Sequence, residues 1–530
     1  MATPIPPTDH FHTKFDDMTV EIFCLVWLDA NINETRDTER KLRSIINHLK
    51  KFQDVKECQK FIEERSKDER VVMIVSGRLG REIVPSIHKF RQVISIYVYC
   101  MDKEGNEKWA RNFAKVKAVC VDLDELIVRI TADHRIQKKV EEPLSINIFT
   151  TSPSSGKSTT GLNGQFVFSQ VLIDCLLRLK YTKEDKKELI ELCKQQYQGN
   201  SFELNNIREF QQDYSSNNVL WWYSRETFFY KTLNAALRKQ DIHFMLLFRA
   251  YILDIHRQLK AHQAKHSLRV YRSQMILNDE LKTLKENRGQ FISINSFFST
   301  STDKQQALSF LNATNDTDNL VPVLFEIDAN PNVAITKPFA DISSQCEYKD
   351  ECEVLFMLGS IFRLDNIKRS SDGQVWIIQM TFCSDDEHDL RQVLMDMKEQ
   401  FISGETSLQT LGKILWEMGK PNLAEKYFIR LLEQLPANDS LRRHLYQDLG
   451  RLASHVGDLD KSMEWRQKAL DFKKQSQPAG SSSTRQTTNI KDSPQTSQST
   501  ASAAAMSKIT ISPHKSSSKP DPTPKSGMLL

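Results

Sequence analysis

Four apolar runs near the N-terminus constrain the fold of this chain more than any other feature. VEIFCLVWLD from Val20, RVVMIVSG from Arg70, VISIYVYC from Val93 and VKAVCVD from Val116 are apolar at nearly every position. A strand with one wet face alternates apolar and polar residues, so runs of this kind must be buried on both faces. Helical segments, TERKLRSIINHLKKF and LDELIVRITADHRI among them, lie between and after the runs. Strands and helices in alternation predict a parallel sheet covered by helices on both sides.

Residues 1–150 are therefore expected to form a flavodoxin- or receiver-like α/β domain. A working phosphoreceiver needs an acidic residue where its third strand ends, and Ser76 and Gly77 stand there instead. The GRLG turn from Gly77 to Gly80 reads as a structural strand-to-helix turn rather than a phosphate cradle. The domain is expected to act as a scaffold or partner-binding module. At 530 residues the chain is too long for one core. A linker follows in IFTTSPSSGKSTTGLNG, where Gly156-Lys157-Ser158 has the look of a P-loop end, but Thr151 occupies the position that motif reserves for glycine.

Composition narrows the partners. The formal charge is +4, and the stretch from Ser476 onward alone carries six Lys/Arg against two Asp, so the rest is formally neutral. No basic stripe with interleaved aromatic residues appears, which argues against nucleic acid. The nine cysteines include Cys24, Cys100, Cys120 and Cys383 in or at the ends of apolar runs, the pattern of reduced, core-filling thiols. The first residues contain no apolar signal core, and the most apolar later run, QFVFSQVLIDCLLRL, is broken by Asp174. A cytoplasmic protein without membrane contact is expected, in which sequons such as that at Asn312 carry no weight.

From about residue 160 to 384 helical periodicity comes first and short β-branched or aromatic runs follow, from SLRVYRS onward. Helices followed by strands predict an α+β domain. His262 and His266 are four apart on a helix but no third ligand accompanies them, so a solvated face is expected. Glu351 and Glu353, at the start of a strand in DECEV, point to one face if the strand has begun. Alone they suit a solvated sheet edge, a metal site or a catalytic pair, and no ligand set accompanies them to favour a metal.

Three pieces of this region together form a pattern. Tyr271-Arg272, Ser299-Thr300-Ser301 after Phe297-Phe298, and Glu351-Cys352-Glu353 occur in order on predicted strands, flanked by WWYSRETFFYKTLNAALRKQD and PFADISSQ. The set resembles the Arg, Ser-Thr-Ser and Glu-x-Glu motifs of arginine-specific mono-ADP-ribosyltransferases. The resemblance implies an NAD(P)+-protein-arginine ADP-ribosyltransferase, a transferase also grouped with glycosyltransferases and nucleotidyltransferases, that uses NAD+ as co-substrate and no metal. Its partners would be NAD and target proteins with an accessible arginine. Cleaving the nicotinamide–ribose bond leaves an oxocarbenium-like sugar, which calls for a nearby carboxylate. By the resemblance Glu353 would bond a ribose hydroxyl and Glu351 would hold and help deprotonate the acceptor. Arg272 would pair with the NAD diphosphate or ribose, and Ser299 and Thr300 would position the sugar and brace the glutamate. Tyr271 would join the dinucleotide site, and Phe297 or Phe298 would wall the nicotinamide ring. Ser273 stands where family members often carry glycine, so the approach of NAD there is expected to differ. An NAD glycohydrolase, or a weakly active or inactive scaffold acting through its flanking modules, are the alternative readings.

Residues 151–384 would thus comprise linker and transferase. Beyond them LGKILWEMGKPNLAEKYFIRLL from Leu411 aligns with LGRLASHVGDLDKSMEWRQKAL from Leu449, placing Gly412 on Gly450 and Gly419 on Gly457 at a period of 38 residues. Residues 385–475 are expected to form a tetratricopeptide-like helical repeat pair that binds a peptide or protein partner, or else a helical cap. Residues 476–530, rich in Ser, Thr and Pro, are expected to be a disordered tail.

Overall fold

A computed structural model describes residues 21–31, 36–66, 69–150, 161–311, 320–347, 352–386, 388–402 and 404–475. Glu351, the Gly156-Lys157-Ser158 stretch, Asn312 and the segment from Ser476 lie outside the described residues.

The first module runs β1 (Phe23–Leu28), α1 (Arg36–Ile45), β2 (Leu49–Phe52), α2 (Val55–Glu63), β3 (Arg70–Ser76), α3 (Gly77–Ile87), β4 (Val93–Tyr99), α4 (Lys103–Ala110), β5 (Val116–Cys120) and α5 (Leu123–Glu141). Its five strands are all parallel, in the order β2-β1-β3-β4-β5, which is the flavodoxin-like order. The period-2 geometry of a strand explains why the runs are apolar throughout. Cys24, Val26 and Leu28 pack with Val71, Met73 and Val75 under α2 and α3, while Phe23, Leu25 and Trp27 pack with Val72 and Ile74 against Leu42 of α1 and Leu126 and Ile130 of α5. The glycines of GRLG serve packing. A Cβ at Gly77 would meet Asn106 at 2.7 Å, and one at Gly80 would meet Val75 at 2.9 Å.

The second module opens with β6 (Ile146–Phe149), whose residues fall within the first 150 but pair with a strand of the second sheet. Six helices follow: α6 (Gly161–Arg178), α7 (Lys183–Gln196), α8 (Ser201–Asp213), α9 (Val219–Ser224), α10 (Phe228–Lys239) and α11 (Ile242–Ala261). Then come β7 (Leu268–Leu277), α12 (Asn278–Glu286), β8 (Phe291–Ile294), β9 (Phe298–Ser301), α13 (Lys304–Ser309), β10 (Leu320–Ala329), β11 (Phe339–Asp341), β12 (Glu353–Phe356), β13 (Ser360–Arg369) and β14 (Trp376–Cys383). The nine-stranded sheet has the order β11-β12-β9-β7-β10-β14-β13-β8-β6, and only β10 and β14 run parallel. Phe298, Phe325, Phe339, Phe356, Phe362 and Phe382 form one ring cluster within it, with centroids 4.9–6.3 Å apart. Such edge-to-face and offset contacts add to the stabilisation from apolar burial.

The remaining helices are α14 (His388–Ile402), α15 (Leu408–Glu417), α16 (Pro421–Gln434), α17 (Leu441–His455) and α18 (Leu459–Gln475). They share a continuous apolar core with α6 and α11. Arg430 of α16 donates to Asp185 (2.9 Å) and Glu188 (2.8 Å) of α7, and Asp185 also takes Arg249 of α11. The first module meets the second through polar contacts: Asn200 donates to the Arg43 carbonyl (2.8 Å) and to Asn47 (3.0 Å), and Tyr197 donates to Glu21 (2.7 Å). Among the described residues no helix is long and apolar enough to cross a membrane.

Candidate functional site

Antiparallel pairing brings the motifs together. Tyr271 on β7 faces Ser301 on β9, and Ser301 faces Glu353 on β12. Three strands far apart in sequence thereby become neighbours, and a cavity of about 110 Å3 opens beside them. Tyr271, Arg272, Ser299, Thr300 and Glu353 all line it.

Arg272 is anchored from several directions. Its guanidinium donates to the Ser299 carbonyl (3.0 Å) and to Gln274 Oε1 (3.2 Å), and it lies over the Phe298 ring at 5.4 Å. Burial pushes its pKa below the ordinary arginine value, while Tyr230, Glu142, Tyr223 and Glu353 oppose that shift. Ser299 thus holds Arg272 through its backbone. Thr300 braces the strand pair by donating from its hydroxyl to the Val354 carbonyl at 2.8 Å. The carboxylate of Glu353 accepts from the Cys346 thiol at 3.5 Å, and its backbone N–H donates to Ser343 Oγ at 3.0 Å.

Neither Phe297 nor Phe298 lines the cavity. Phe298 belongs to the buried ring cluster, and Phe297 packs edge-on against Tyr223 with centroids 5.1 Å apart. Alternation along β9 sends Phe298 inward to the core. The aromatic residues that line the cavity are Tyr223, Tyr230, Tyr271 and Phe310. Tyr223 donates to Asn234 Oδ1 at 3.1 Å, and burial raises the pKa of Tyr223 and Tyr230, keeping both phenols neutral. His262, away from the cavity lining, hydrogen bonds the Gln258 carbonyl of its own helix.

Several lining or bracing residues were not singled out from the sequence. Gln274 lies two residues past Arg272 on β7, which in a strand means the same face. Tyr223, on α9, and Tyr230, on α10, are brought together by the break between the two helices at residues 225–227, which the WWYSRETFFYK stretch does not announce. Lys138 and Glu142, at the end of α5, also line the cavity although they belong to the first module's chain segment. No local sequence signal marks a helix for docking against a strand more than a hundred residues later.

Comparison with known proteins bears on the region. Residues 180–385 match the family model described as ADP-ribosyltransferase exoenzyme. None of the curated proteins matches the chain. Similar solved structures include Plx2a, an ADP-ribosyltransferase toxin from Paenibacillus larvae, at 18% identity over 37% of this chain and 96% of that one, with a TM-score of 0.26. The Vis toxin, an ADP-ribosyltransferase from Vibrio splendidus, is similar at 22% identity over 40% of this chain and 91% of its own, TM-score 0.26. The ADP-ribosyltransferase HopU1 of Pseudomonas syringae is 17% identical over 39% of this chain and 99% of its own, TM-score 0.27. Residues 180–385 are thus similar to the ADP-ribosyltransferase exoenzyme family, and ADP-ribosyltransferases use NAD+ as substrate.

Proposed function

We propose that the domain transfers ADP-ribose from NAD+ to arginine side chains of target proteins, releasing nicotinamide and a proton. The observation that carries this reading is the shared cavity of Arg272, Ser299 and Glu353, three residues of the Arg, Ser-Thr-Ser and Glu-x-Glu set. In the reaction the nicotinamide–ribose bond breaks with its electron pair leaving on nicotinamide, and positive charge develops on the ribose. Glu353 offsets that charge, because a carboxylate in a partly enclosed site interacts strongly with a developing cation. Arg272 holds the dinucleotide through its planar fork. Glu351 is assigned to the acceptor on its place in the motif. A guanidinium stays protonated in water, so a base must orient it and take the proton as it attacks. The helices after β14 are assigned to binding a protein partner in the manner of tetratricopeptide-like pairs, a reading supported by the 38-residue self-similarity.

Incubation with NAD+ and an arginine analogue tests the reading. ADP-ribosylated analogue is expected; free ADP-ribose alone would make the chain a hydrolase, and no consumption of NAD+ would leave a scaffold. Glu351→Gln is expected to lower arginine transfer more than hydrolysis, whereas Glu353→Gln lowers both. NAD+ consumption undiminished in Glu353→Gln would overturn the mechanism.

A further inference from the structure

Lys138 sits in the wall of the cavity but comes from α5, the last helix of the first module. Its side chain is only 7% exposed, and its ammonium lies 3.6 Å from a carboxylate oxygen of Glu226 and 4.7 Å from the centre of the Tyr230 ring. At 3.6 Å the Glu226 contact is an ion pair without a hydrogen bond, and Nζ has no hydrogen-bond partner among the described residues. An ammonium carries three donors, and leaving them unfilled in a buried site costs free energy that a ligand would recover.

The placement of this helix end is tied to Arg272. Gln274 donates from its amide to the Val140 carbonyl (2.8 Å) and the Glu142 carbonyl (2.7 Å), while its oxygen accepts from Arg272. Arg238 of α10 pairs with Glu142 at 3.0 Å. One side chain, Gln274, therefore connects the end of α5 to the arginine of β7, and it holds Lys138 and Arg272 on one cavity.

We propose that Lys138 binds the diphosphate of NAD+, so that the first module completes the substrate site of the transferase. The inference rests on reading the cavity as the NAD+ site. Glu353 must lie at the nicotinamide ribose, where cationic charge develops, which leaves the anionic diphosphate for the cationic part of the cavity. Arg272 spends donors on Ser299 and Gln274, whereas the Lys138 ammonium has hydrogen-bonding capacity to give. A compact ammonium suits a phosphate oxygen as a point charge. The Glu226 carboxylate holds the ammonium near the cavity until the diphosphate supplies stronger, charge-assisted bonds.

The test uses the full chain, with kinetics on NAD+ and an arginine analogue, and binding of ADP-ribose and of nicotinamide. Lys138→Met keeps an unbranched side chain of similar length and removes the charge that lies over the Tyr230 ring. It is expected to raise KM for NAD+ and Kd for ADP-ribose by about tenfold or more, the worth of one charge-assisted hydrogen bond. Turnover should stay within about twofold and nicotinamide affinity should be unchanged, since nicotinamide has no phosphate. Lys138→Arg should restore most of the loss. A KM within about twofold of wild type in Lys138→Met, or a parallel loss of nicotinamide and ADP-ribose affinity, would overturn the inference. Should Lys138→Met melt too low to assay, Glu226→Gln decides: releasing the ammonium is expected to lower KM for NAD+, and an unchanged or raised KM counts against the proposal. Failure of the wild-type chain itself to bind NAD+ would instead sink the reading of the cavity, so the two failures are distinguishable.

Discussion

The residues of the Ser-Thr-Ser strand divide between core and cavity by the alternation of its side chains. Phe298 enters the ring cluster, Thr300 bonds across to Val354, and Ser299 presents its carbonyl to Arg272. In the proposed reaction the chemistry falls to Glu353, one of three glutamates that line the cavity. Replacing it by glutamine keeps its size and removes its charge, so kcat should fall about 10²–10³-fold with NAD+ affinity little altered, as judged by turnover and by ligand binding. The identities of Arg272, Ser299, Thr300 and Glu353 as a set were legible in the sequence, because the motif order is a property of the chain. The part played by Phe297 and Phe298 was not. An aromatic pair before a serine reads equally as cavity wall or core until the partners of each ring are known.

At the level of elements, the strands of the first sheet announced themselves because both faces are covered, and the four apolar runs coincide with β1, β3, β4 and β5. Strand β2, LKKF, was not legible as a strand, since two exposed lysines occupy its middle as befits a sheet edge. The glycines aligned between the two C-terminal segments gain a physical reason from packing. A Cβ at Gly412 of α15 would lie 2.4 Å from the Phe428 ring of α16. Gly412→Ala should therefore force the ring or the helix to move and cost about 1–3 kcal/mol, measured by chemical denaturation of the purified chain. At Gly419 the same substitution meets open space but a φ of +71°, so its penalty is backbone strain rather than overlap.

For the whole molecule, the C-terminal helices are tied to the transferase by charge as well as by apolar burial. Burial works against ionisation of Glu188, but hydrogen bonds from His243 and Arg430 prevail and bring its pKa down to about 2. Removing the guanidinium in Arg430→Met leaves Asp185 with Arg249 and weakens Glu188, and a loss of about 3–5 kcal/mol is expected for a buried pair broken from one side. The pH dependence has a definite sign. A carboxyl lowered from 4.5 to about 2 on folding contributes stability above pH 4.5 that disappears as the pH falls towards 2. His48 acts in a higher window: burial, with Lys50, Arg65 and Arg43 nearby, lowers its pKa from 6.5 to about 4. The folded state resists protonation there while the unfolded chain accepts it, so stability present above pH 6.5 is lost as the pH falls through 4. Melting temperatures should decline in both windows; His48→Gln should flatten the upper one and Arg430→Met the lower.

The amino-acid sequence by itself determined local character: which runs are buried on both faces, where period 2 gives way to period 3.6, and which chemical groups the chain owns and in what order. Those properties follow from the few residues around each position and from backbone geometry. Only the tertiary structure decided that Gln274 would reach from Arg272 to the end of α5, that Lys138 would share a cavity with Glu353, and that Arg430 would join α7. Such meetings are set by the packing of whole elements against one another. The free energy that selects them is summed over many small contacts across the chain and leaves no mark on the neighbours of any one residue.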